Sequence, residues 1–511
     1  MSTKSSRFVI YFFIILFCSV AIRVINIRQP ILEGASTRQV ENAMIARNYF
    51  NNQLNILYPY LTDNGNQKVY QLVEFQGIPF LAAVIHRLRG EADEANLRSI
   101  SIFFFVLASI MLFKLAEYYF STEIAFYSAI VFMLSPLSIY LSRAFQNEMP
   151  MIAFAVSAIY FFSRYLEQKS LISFIASAIC LEAAILLKIP NLYLFIPLLF
   201  LAYIRFGKRL WTKPFIYLFL LFIGAIAFFW YRHAHYVMTT YPNKYSIYFT
   251  GNFGYMLNNL KHYLPQVDFY KVHFDNLVTY TLTPIGFSLL ILGLLIRFND
   301  RRQRVIYIWL AGVFLFFVIV PAQSWQGYYQ IHLLPIFSIL IGNAVYKIKN
   351  SKLLEDNFLD KRIVASIFSI IILFTVFRYS YAYYKVPENF RYVVETGKAI
   401  DLLTEKDALV ICSIENGPDL VYYSNRKGWP FTIDLEAKRK LDILQGEDVT
   451  GRTYDPVIYL EQLRAEGASY FASASMSEFL GHEKFSKYMR ENYKVVKETP
   501  HFIVFDLRNK R

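Results

Sequence analysis

The chain has 511 residues, of which 56% are hydrophobic and 18% aromatic, and its formal net charge is +14. A soluble protein of this length would form two or more domains of ordinary polarity, whereas several runs here reach the roughly 20 apolar residues that span a bilayer. The basic residues cluster in short loops between these runs, so the charge indicates membrane orientation rather than nucleic-acid binding. The composition therefore predicts a polytopic α-helical membrane protein.

The first apolar run extends from about Phe8 to Val24 and follows Lys4 and Arg7. No small-residue cleavage site closes this run, which favours a retained signal anchor over a signal peptide. Its N-terminus then lies in the cytoplasm, and the segment after it lies outside. The three cysteines are too few for a disulfide framework.

Residues 33–75 form the main part of the predicted first external loop. Ser36 and Gln39 have the spacing of a capping box, which predicts a helix over about 37–50. The apolar run at 77–88 is too short to cross a bilayer, so it is interpreted as a helix at the outer interface.

Arg38 and Glu41 lie three residues apart on the first of these helices and share a face. Beside a membrane, a carboxylate and a guanidinium need a partner or a substrate, which makes this pair a candidate site. The alternative is a structural ion pair that pins the helix.

About ten further apolar runs follow, and together with the first they predict about 11 membrane spans. They lie at about 99–119, 123–141, 149–166, 171–187, 191–204, 215–231, 277–297, 305–321, 328–346 and 363–383. Counting from a cytoplasmic N-terminus, the basic loops 205–214, 298–304 and 347–362 lie inside, as the positive-inside rule requires. The loop 232–276 and everything after Lys385 then lie outside.

The segment after Lys385 is polar and alternates strand-like runs with helical stretches. Strands are predicted within 408–414, 456–460, 468–474 and 501–507, and helices within 461–466 and 483–493. Such alternation is typical of a small α/β domain. We therefore divide the chain into a membrane domain, 1–384, which includes the first external loop at 27–98, and an extracytoplasmic α/β accessory domain, 385–511.

Further polar side chains fall on the predicted outer side of the membrane. Glu148 begins a span five residues after Arg143, although an acid in the first turn also simply favours the helix dipole. Lys188 ends a span, where snorkelling to the headgroups is the favoured explanation. The other candidates for substrate binding are Glu74, Gln326, Tyr328, Tyr329 and His332. Because tyrosines are common at membrane interfaces, the tyrosines alone do not indicate a site. The site is favoured because all of these side chains lie on the same predicted side of the membrane.

The chain lacks a Walker loop, a dinucleotide-binding glycine motif, zinc-type Cys/His spacing and a nucleophile elbow. Carboxylates, basic groups and tyrosines outside the membrane suit sugar transfer instead. A carboxylate can take the proton of an acceptor hydroxyl, while cations stabilise the leaving phosphate. Because nucleotide sugars are not expected outside the membrane, this chemistry points to a lipid-phosphate-linked donor.

Several blocks of the sequence resemble the GT-C membrane glycosyltransferases, in the bacterial branch related to protein O-mannosyltransferases (family 39-like) and to aminoarabinose transferases of lipid A. The blocks are STRQVENAMIARNYF, LYPYLTDNGN, EFQGIPFLAAVIHRLRG, LSPLSIYLSRAFQNEMP, LLKIPNLYLFIPLL and QGYYQIHLLP. DLVYYSNRKGW near the C-terminus is also similar to bacterial members.

The resemblance implies the GT-C fold and an inverting transferase that uses a polyprenyl-phosphate sugar. In that family an acidic residue of the first external loop, commonly an aspartate after an Arg-Gln pair, is taken to be catalytic. Glu41 occupies that position with a longer side chain, and Glu148 matches a second acidic residue in the next external loop. Some relatives bind phosphate through a lysine where this chain has Phe75 and Gln76, so its phosphate ligand must lie elsewhere.

We expect Arg38 to be the main phosphate ligand, because its fork matches two phosphate oxygens, followed by Lys188 and His332. The expected partners are a polyprenyl-phosphate sugar donor, a lipid, glycan or protein acceptor, and the lipids of the plasma (inner) membrane; nucleic acid is not expected. No cofactor is expected; a divalent metal at Glu41 and Glu148 is an open alternative that the sequence does not support.

The alternative function is transport, as a flippase for a polyprenyl lipid or a sugar-lipid without glycosyl transfer. Transporters typically place ionisable residues near the bilayer midplane and often contain inverted repeats. The predicted spans are nearly free of charge at their centres, and the sequence shows no internal repeat. Sugar transfer is therefore the favoured interpretation.

Overall fold

A computed structural model describes residues 3–241, 259–321, 326–351, 361–414, 417–435, 439 and 454–511. The inside loop predicted at 347–362 and the outside loop predicted at 232–276 lie partly beyond these residues. The chain forms two compact units. Unit 1 comprises residues 1–28, 95–234 and 251–384, and unit 2 comprises residues 29–94, 235–250 and 385–511.

Helices dominate the structure. In chain order they are α1 (Thr3–Val24), α2 (Ser36–Asn51), α3 (Gly77–Arg89), α4 (Glu94–Tyr119), α5 (Thr122–Leu134), α6 (Pro136–Leu141), α7 (Glu148–Gln168), α8 (Leu171–Leu187), α9 (Phe195–Phe206), α10 (Pro214–Thr240), α11 (Val267–Asp275), α12 (Thr283–Leu295), α13 (Val305–Ile319), α14 (Leu334–Lys349), α15 (Lys361–Ser380), α16 (Val393–Leu403), α17 (Asp419–Tyr423), α18 (Pro456–Ala465), α19 (Met476–Gly481) and α20 (Glu483–Asn492). Short 3₁₀ turns at Ile189–Leu194 and Gly327–His332 precede α9 and α14.

Six helical segments among the described residues are long and apolar enough to cross a membrane, or seven if one bent pair is a single span. The six are Ser5–Val24, Glu94–Tyr119, Glu148–Gln168, Ile189–Thr212, Pro214–Thr240 and Arg301–Ile319. The bent pair, Val267–Thr281 and Thr283–Leu295, turns by 107°. A multi-pass helical membrane protein is thus confirmed, while the count of about eleven spans stays a prediction.

Two predicted spans are interrupted: the span at 277–297 bends sharply between Thr281 and Thr283, and the span at 123–141 breaks at Ser135. The run at 123–141 forms two helices, α5 and α6, because Pro136 lacks the amide hydrogen that would continue α5. Ser135 lies at the break, where its hydroxyl accepts a hydrogen bond from the amide of Ser138 and so caps α6.

Unit 2 contains a two-stranded ribbon and a five-stranded mixed sheet. The strands are β1 (Tyr60–Leu61), β2 (Val69–Tyr70), β3 (Leu409–Ser413), β4 (Lys427–Phe431), β5 (Tyr470–Ser473), β6 (Lys494–Glu498) and β7 (Ile503–Asp506). β1 and β2 pair antiparallel. The larger sheet has the order β4-β3-β5-β7-β6, in which β4, β3 and β5 are parallel and the other neighbours antiparallel. Its described core includes Ile411, Phe431, Phe471, Phe485 and Phe505.

Two local predictions from the sequence are wrong. The run Pro456–Leu460 was expected to be a strand but begins α18, because Asp455 accepts hydrogen bonds from the amides of Val457 and Ile458 and caps the helix. Ser36 lies inside α2 rather than before it, and the helix has no side-chain N-cap. The domain division at 384/385 and the extracytoplasmic placement stay predictions.

Candidate functional site

The predicted acidic site lies on α2 in unit 2. Glu41 is buried, and Nη1 of Arg38 lies 3.6 Å from its Oε2. The Arg38 side chain is 43% exposed, whereas that of Glu41 is 7% exposed. An interior carboxylate therefore has a cation beside it that still reaches solvent, an arrangement suited to binding an anionic or hydroxylated ligand.

Hydrogen bonds from two amide side chains of α2 fix the helix to its own loop. Nε2 of Gln39 donates to the carbonyl oxygen of Glu33 at 2.8 Å, and Nδ2 of Asn48 donates to that of Tyr60 at 2.7 Å. Gln39 therefore does not complete the predicted capping box, in which its side chain would accept from a backbone amide at the helix start; it donates to a carbonyl oxygen of the preceding loop instead. The backbone around Glu41 is held on both sides.

Helix α3 packs along α2 through aromatic contacts. The rings of Tyr49 and Phe80 are 5.7 Å apart, and those of Phe50 and His86 are 5.9 Å apart. Nη2 of Arg87 donates to the carbonyl oxygen of Tyr49 at 2.9 Å, near the C-terminus of α2. Burial lowers the pKa of His86, so its ring is neutral at pH 7 and packs as an aromatic side chain.

A second group of predicted residues comes together in unit 1. Nζ of Lys188, the residue after α8, lies 2.9 Å from Oε1 of Glu148, the first residue of α7. Both side chains are only 5% exposed. The snorkelling expected for Lys188 is therefore wrong: the ammonium group is buried and paired with a carboxylate from the neighbouring helix.

Aromatic side chains lie around this ion pair. Nζ of Lys188 is 5.1 Å from the ring centre of Tyr329 and 6.0 Å from that of Tyr328, at the outer range of cation–π contacts. The Tyr328 hydroxyl donates to the side-chain oxygen of Gln326. The Tyr329 and His332 rings are nearly parallel, with centres 6.4 Å apart. Of the predicted site residues, Glu148, Lys188, Gln326, Tyr328, Tyr329 and His332 thus form one group, which we call the lysine cluster.

The sequence interpretation missed three members of this region. The Tyr193 hydroxyl lies 3.0 Å from Nδ1 of His332, and the Phe316 ring lies 5.2 Å from the His332 ring. Nδ2 of Asn191 donates to the carbonyl oxygens of Ala184 and Lys188, each at 2.9 Å, and holds the turn that carries the lysine. The Lys-Ile-Pro-Asn motif was a usable signal for this turn, since proline ends a helix and asparagine bonds to freed carbonyls.

Arg143 and Glu74 lie in different surroundings. Nη1 of Arg143 donates to the carbonyl oxygens of Arg23 and Ile25, at 2.5 and 2.6 Å, and its guanidinium lies 4.2 Å from the Tyr384 ring centre. These contacts tie together the end of α1 and residues far along the chain. Glu74 is half-buried in the loop before α3, and its carbonyl oxygen accepts from Gln76. A substrate-binding role for either residue stays a prediction.

The described residues contain no group of three or more His, Cys, Asp or Glu side chains placed to hold a metal ion.

The family model described as dolichyl-phosphate-mannose-protein mannosyltransferase matches residues 77–231. No individual curated protein matches this sequence. ArnT from Cupriavidus metallidurans, solved bound to undecaprenyl phosphate, is similar in structure with a TM-score of 0.63 at 13% identity, and the match covers 97% of each chain.

Two larger proteins share the fold. The archaeal oligosaccharyltransferase AglB from Archaeoglobus fulgidus, solved with an inhibitory peptide and a dolichol-phosphate, has a TM-score of 0.52 at 13% identity over 98% of this chain and 74% of its own. The arabinofuranosyltransferase AftD from Mycobacteria has a TM-score of 0.57 at 12% identity over 97% of this chain and 40% of its own. The chain therefore has the GT-C membrane glycosyltransferase fold, as its sequence blocks predicted.

Proposed function

We propose that this protein transfers a sugar from a polyprenyl-phosphate-linked donor to an acceptor hydroxyl on the outer side of the membrane. The observation that carries the proposal is the lysine cluster within a GT-C fold: a buried ammonium group, paired with one carboxylate and lined by tyrosines. A buried lysine with aromatic neighbours can hold the phosphate of a lipid donor, and the tyrosine rings offer apolar faces to a sugar.

The similar structures support the class of donor. ArnT from C. metallidurans was solved with undecaprenyl phosphate and AglB with a dolichol-phosphate, and both ligands are polyprenyl phosphates. Both proteins have this fold over nearly the whole length of the chain. The donor that we propose here has the same headgroup chemistry, and the lysine cluster would bind it.

In the proposed reaction, Glu41 accepts the proton of the acceptor hydroxyl. The acceptor oxygen forms a bond to C1 of the sugar as the bond between C1 and the phosphate oxygen breaks, and polyprenyl phosphate leaves. Attack from the face opposite the phosphate inverts the configuration at C1. Lys188 stabilises the charge that develops on the leaving phosphate, and Glu148 holds the lysine in place through their ion pair.

The experiment compares cell-envelope glycans, by mass spectrometry, in cells with and without the protein. We expect one sugar mass increment to disappear and the polyprenyl-phosphate sugar to accumulate. The purified chain in detergent is then given the accumulated donor together with envelope extract from the deficient cells. A transferase restores the increment there, whereas a flippase has no activity without a closed membrane, so failure to restore it would favour transport.

A further inference from the structure

The C-terminal part of the chain contacts α2 directly within unit 2. Nη1 of Arg47, on the second half of α2, donates to the carbonyl oxygen of Tyr422 at 2.8 Å. The Arg47 guanidinium also lies 4.3 Å from the centre of the Tyr422 ring. One arginine therefore binds both the backbone and the side chain of α17, which fixes its position more tightly than a single contact would.

The start of α2 is held by the same short helix. The hydroxyl of Tyr423 accepts a hydrogen bond from the amide of Ile31 at 2.9 Å, in the segment that leads into α2. A Cβ at Gly417, just before α17, would lie 3.2 Å from Oγ1 of Thr37, in the first turn of α2. The segment 417–423, which ends in α17, thus lies against α2 on both sides of Glu41: near Thr37 and at Arg47.

The loop after α2 continues this contact onto the edge of the large sheet. The amide of Gly65 donates to the carbonyl oxygen of Gly428 at 2.9 Å, and the amide of Gly428 donates to that of Thr62 at 3.2 Å. Gly428 belongs to the edge strand β4, so the loop pairs with the open side of this strand at that residue. Gly65 has a φ of +58°, and a Cβ there would lie 2.1 Å from the Trp429 ring, so a larger residue cannot take its place.

We propose that Arg47, Tyr422 and Tyr423 are positioning residues for the transfer reaction, through which the C-terminal α/β domain sets the place of Glu41 on α2. This inference rests on the proposed function, in which Glu41 is the base. Thr37 and Arg47 bracket Glu41 over about 15 Å of helix, at about 1.5 Å per residue. An error of about 1 Å in a catalytic group can cost about 10²-fold in rate, so a loosened helix end has a measurable effect.

The first test measures kcat and KM for Arg47→Met, Arg47→Lys and Tyr423→Phe in the full chain. We expect Arg47→Met to lower kcat at least about 10-fold with the donor KM within about twofold, because donor binding does not involve α17. Arg47→Lys should recover part of the rate, since it restores the charge but not the fork. The matched control is Arg490→Met, which breaks an exposed ion pair with Glu498 in the same domain, and should leave kcat unchanged.

Hydrogen exchange of residues 36–51 gives a readout that does not depend on activity. If the wild-type chain transfers sugar but Arg47→Met keeps both wild-type kcat and wild-type protection of α2, the inference is overturned while the proposed function stands. If the wild-type chain transfers no sugar, the proposed function fails. Increased exchange of α2 in Arg47→Met would then still support the positioning contact, and unchanged exchange would overturn it.

A disulfide between Thr37→Cys and Gly417→Cys tests whether the contact persists during turnover. A Cβ added at Gly417 would lie 3.2 Å from Oγ1 of Thr37, which brings the two positions within reach of a disulfide, and 2.4 Å from Oδ2 of Asp419, whose side chain has to move aside. In a chain with Cys18→Ser and Cys180→Ala, we expect the oxidised variant to keep the turnover of its reduced form within about twofold. Activity that is lost on oxidation and restored by reduction would show that α17 must leave α2, and would overturn the inference.

Discussion

Nζ of Lys188 lies 2.9 Å from a carboxylate oxygen of Glu148, and neither side chain is more than 5% exposed. Two opposite charges that are withdrawn from water depend on each other, because the burial of either one alone carries the full desolvation cost. A lipid phosphate that binds Lys188 would share the lysine with Glu148 or displace it. Glu148 therefore serves as the counter-ion of Lys188 when no donor is bound. The sequence alone had suggested a second catalytic acid at Glu148, but not this pairing with Lys188.

The first prediction separates folding from donor binding at this pair. Lys188→Met and Glu148→Gln should each destabilise the detergent-purified chain, by about 3–5 kcal/mol where a bare charge is left buried. The double variant should recover most of the thermal stability but still bind polyprenyl phosphate weakly. A double variant with wild-type affinity for polyprenyl phosphate would remove Lys188 from the donor site.

The second prediction concerns Arg38, whose side chain is 43% exposed beside Glu41. Arg38→Lys keeps the charge but loses the planar fork that contacts two phosphate oxygens. We expect a donor affinity about 10-fold lower, with the melting temperature unchanged because the residue is half-exposed. Donor affinity equal to that of the wild-type chain would count against this role.

The third prediction is a pH dependence in the C-terminal sheet region. Burial raises the pKa of Glu461, but hydrogen bonds from Tyr493, Tyr488 and Arg464 outweigh it and bring the pKa to about 2. Because the folded-state pKa lies below the unfolded value of 4.5, Glu461 stabilises the fold above about pH 4.5, and this stabilisation is lost as the pH falls toward 2.

The measurement is the melting temperature of the full chain and of Glu461→Gln in detergent. At neutral pH the variant should be less stable by about 1–2 kcal/mol, less than the full shift implies because the carboxylate is partly exposed. The difference should shrink between pH 4.5 and pH 2. A difference that does not change with pH would contradict the assignment of the stabilising charge to Glu461.

The sequence pattern predicted which helices and strands exist better than it predicted where helices break and which residues contact each other. The apolar periods placed helices at most of the predicted spans, but Asp455 and Pro456 form a cap and first turn that outweighed the strand-like composition of Val457 to Tyr459. The Asp-Pro pair was the usable signal for this helix, because an aspartate N-cap followed by proline at the first helical position marks a helix start.

The sequence predicted many of the residues of the candidate site, but not which of them pair with each other. Glu148 and Lys188 are 40 positions apart, and only the packing of α7 against α8 brings them together. The contact of Arg47 with Tyr422 joins positions 375 residues apart and has no signature in either segment. Long-range polar pairs of this kind depend on tertiary structure, which a single sequence does not determine.

The fourth prediction is the membrane orientation. Leu402 is 86% exposed in α16, and the Arg302 side chain is 54% exposed in the loop predicted to lie inside. In intact cells, a membrane-impermeant maleimide should label Leu402→Cys and should label Arg302→Cys only after the membrane is opened. The wild-type chain provides the background from its own cysteines. Labelling in the reverse order would invert the predicted topology.

The fifth prediction tests the account most directly and concerns Glu41. Glutamine keeps the shape of the side chain and its hydrogen bonding but cannot take a proton. Glu41→Gln should therefore lower the rate of transfer by about 10²–10⁴-fold without changing expression or melting temperature. Glu148→Gln, measured beside it, should have a smaller effect on the rate.

The decisive measurement is the release of polyprenyl phosphate from the purified wild-type chain and from Glu41→Gln, with the donor that accumulates in deficient cells and with their envelope as acceptor. The account predicts release in step with sugar transfer by the wild-type chain, and a loss of about 10²–10⁴-fold in the variant. Release by Glu41→Gln at the wild-type rate would contradict the account.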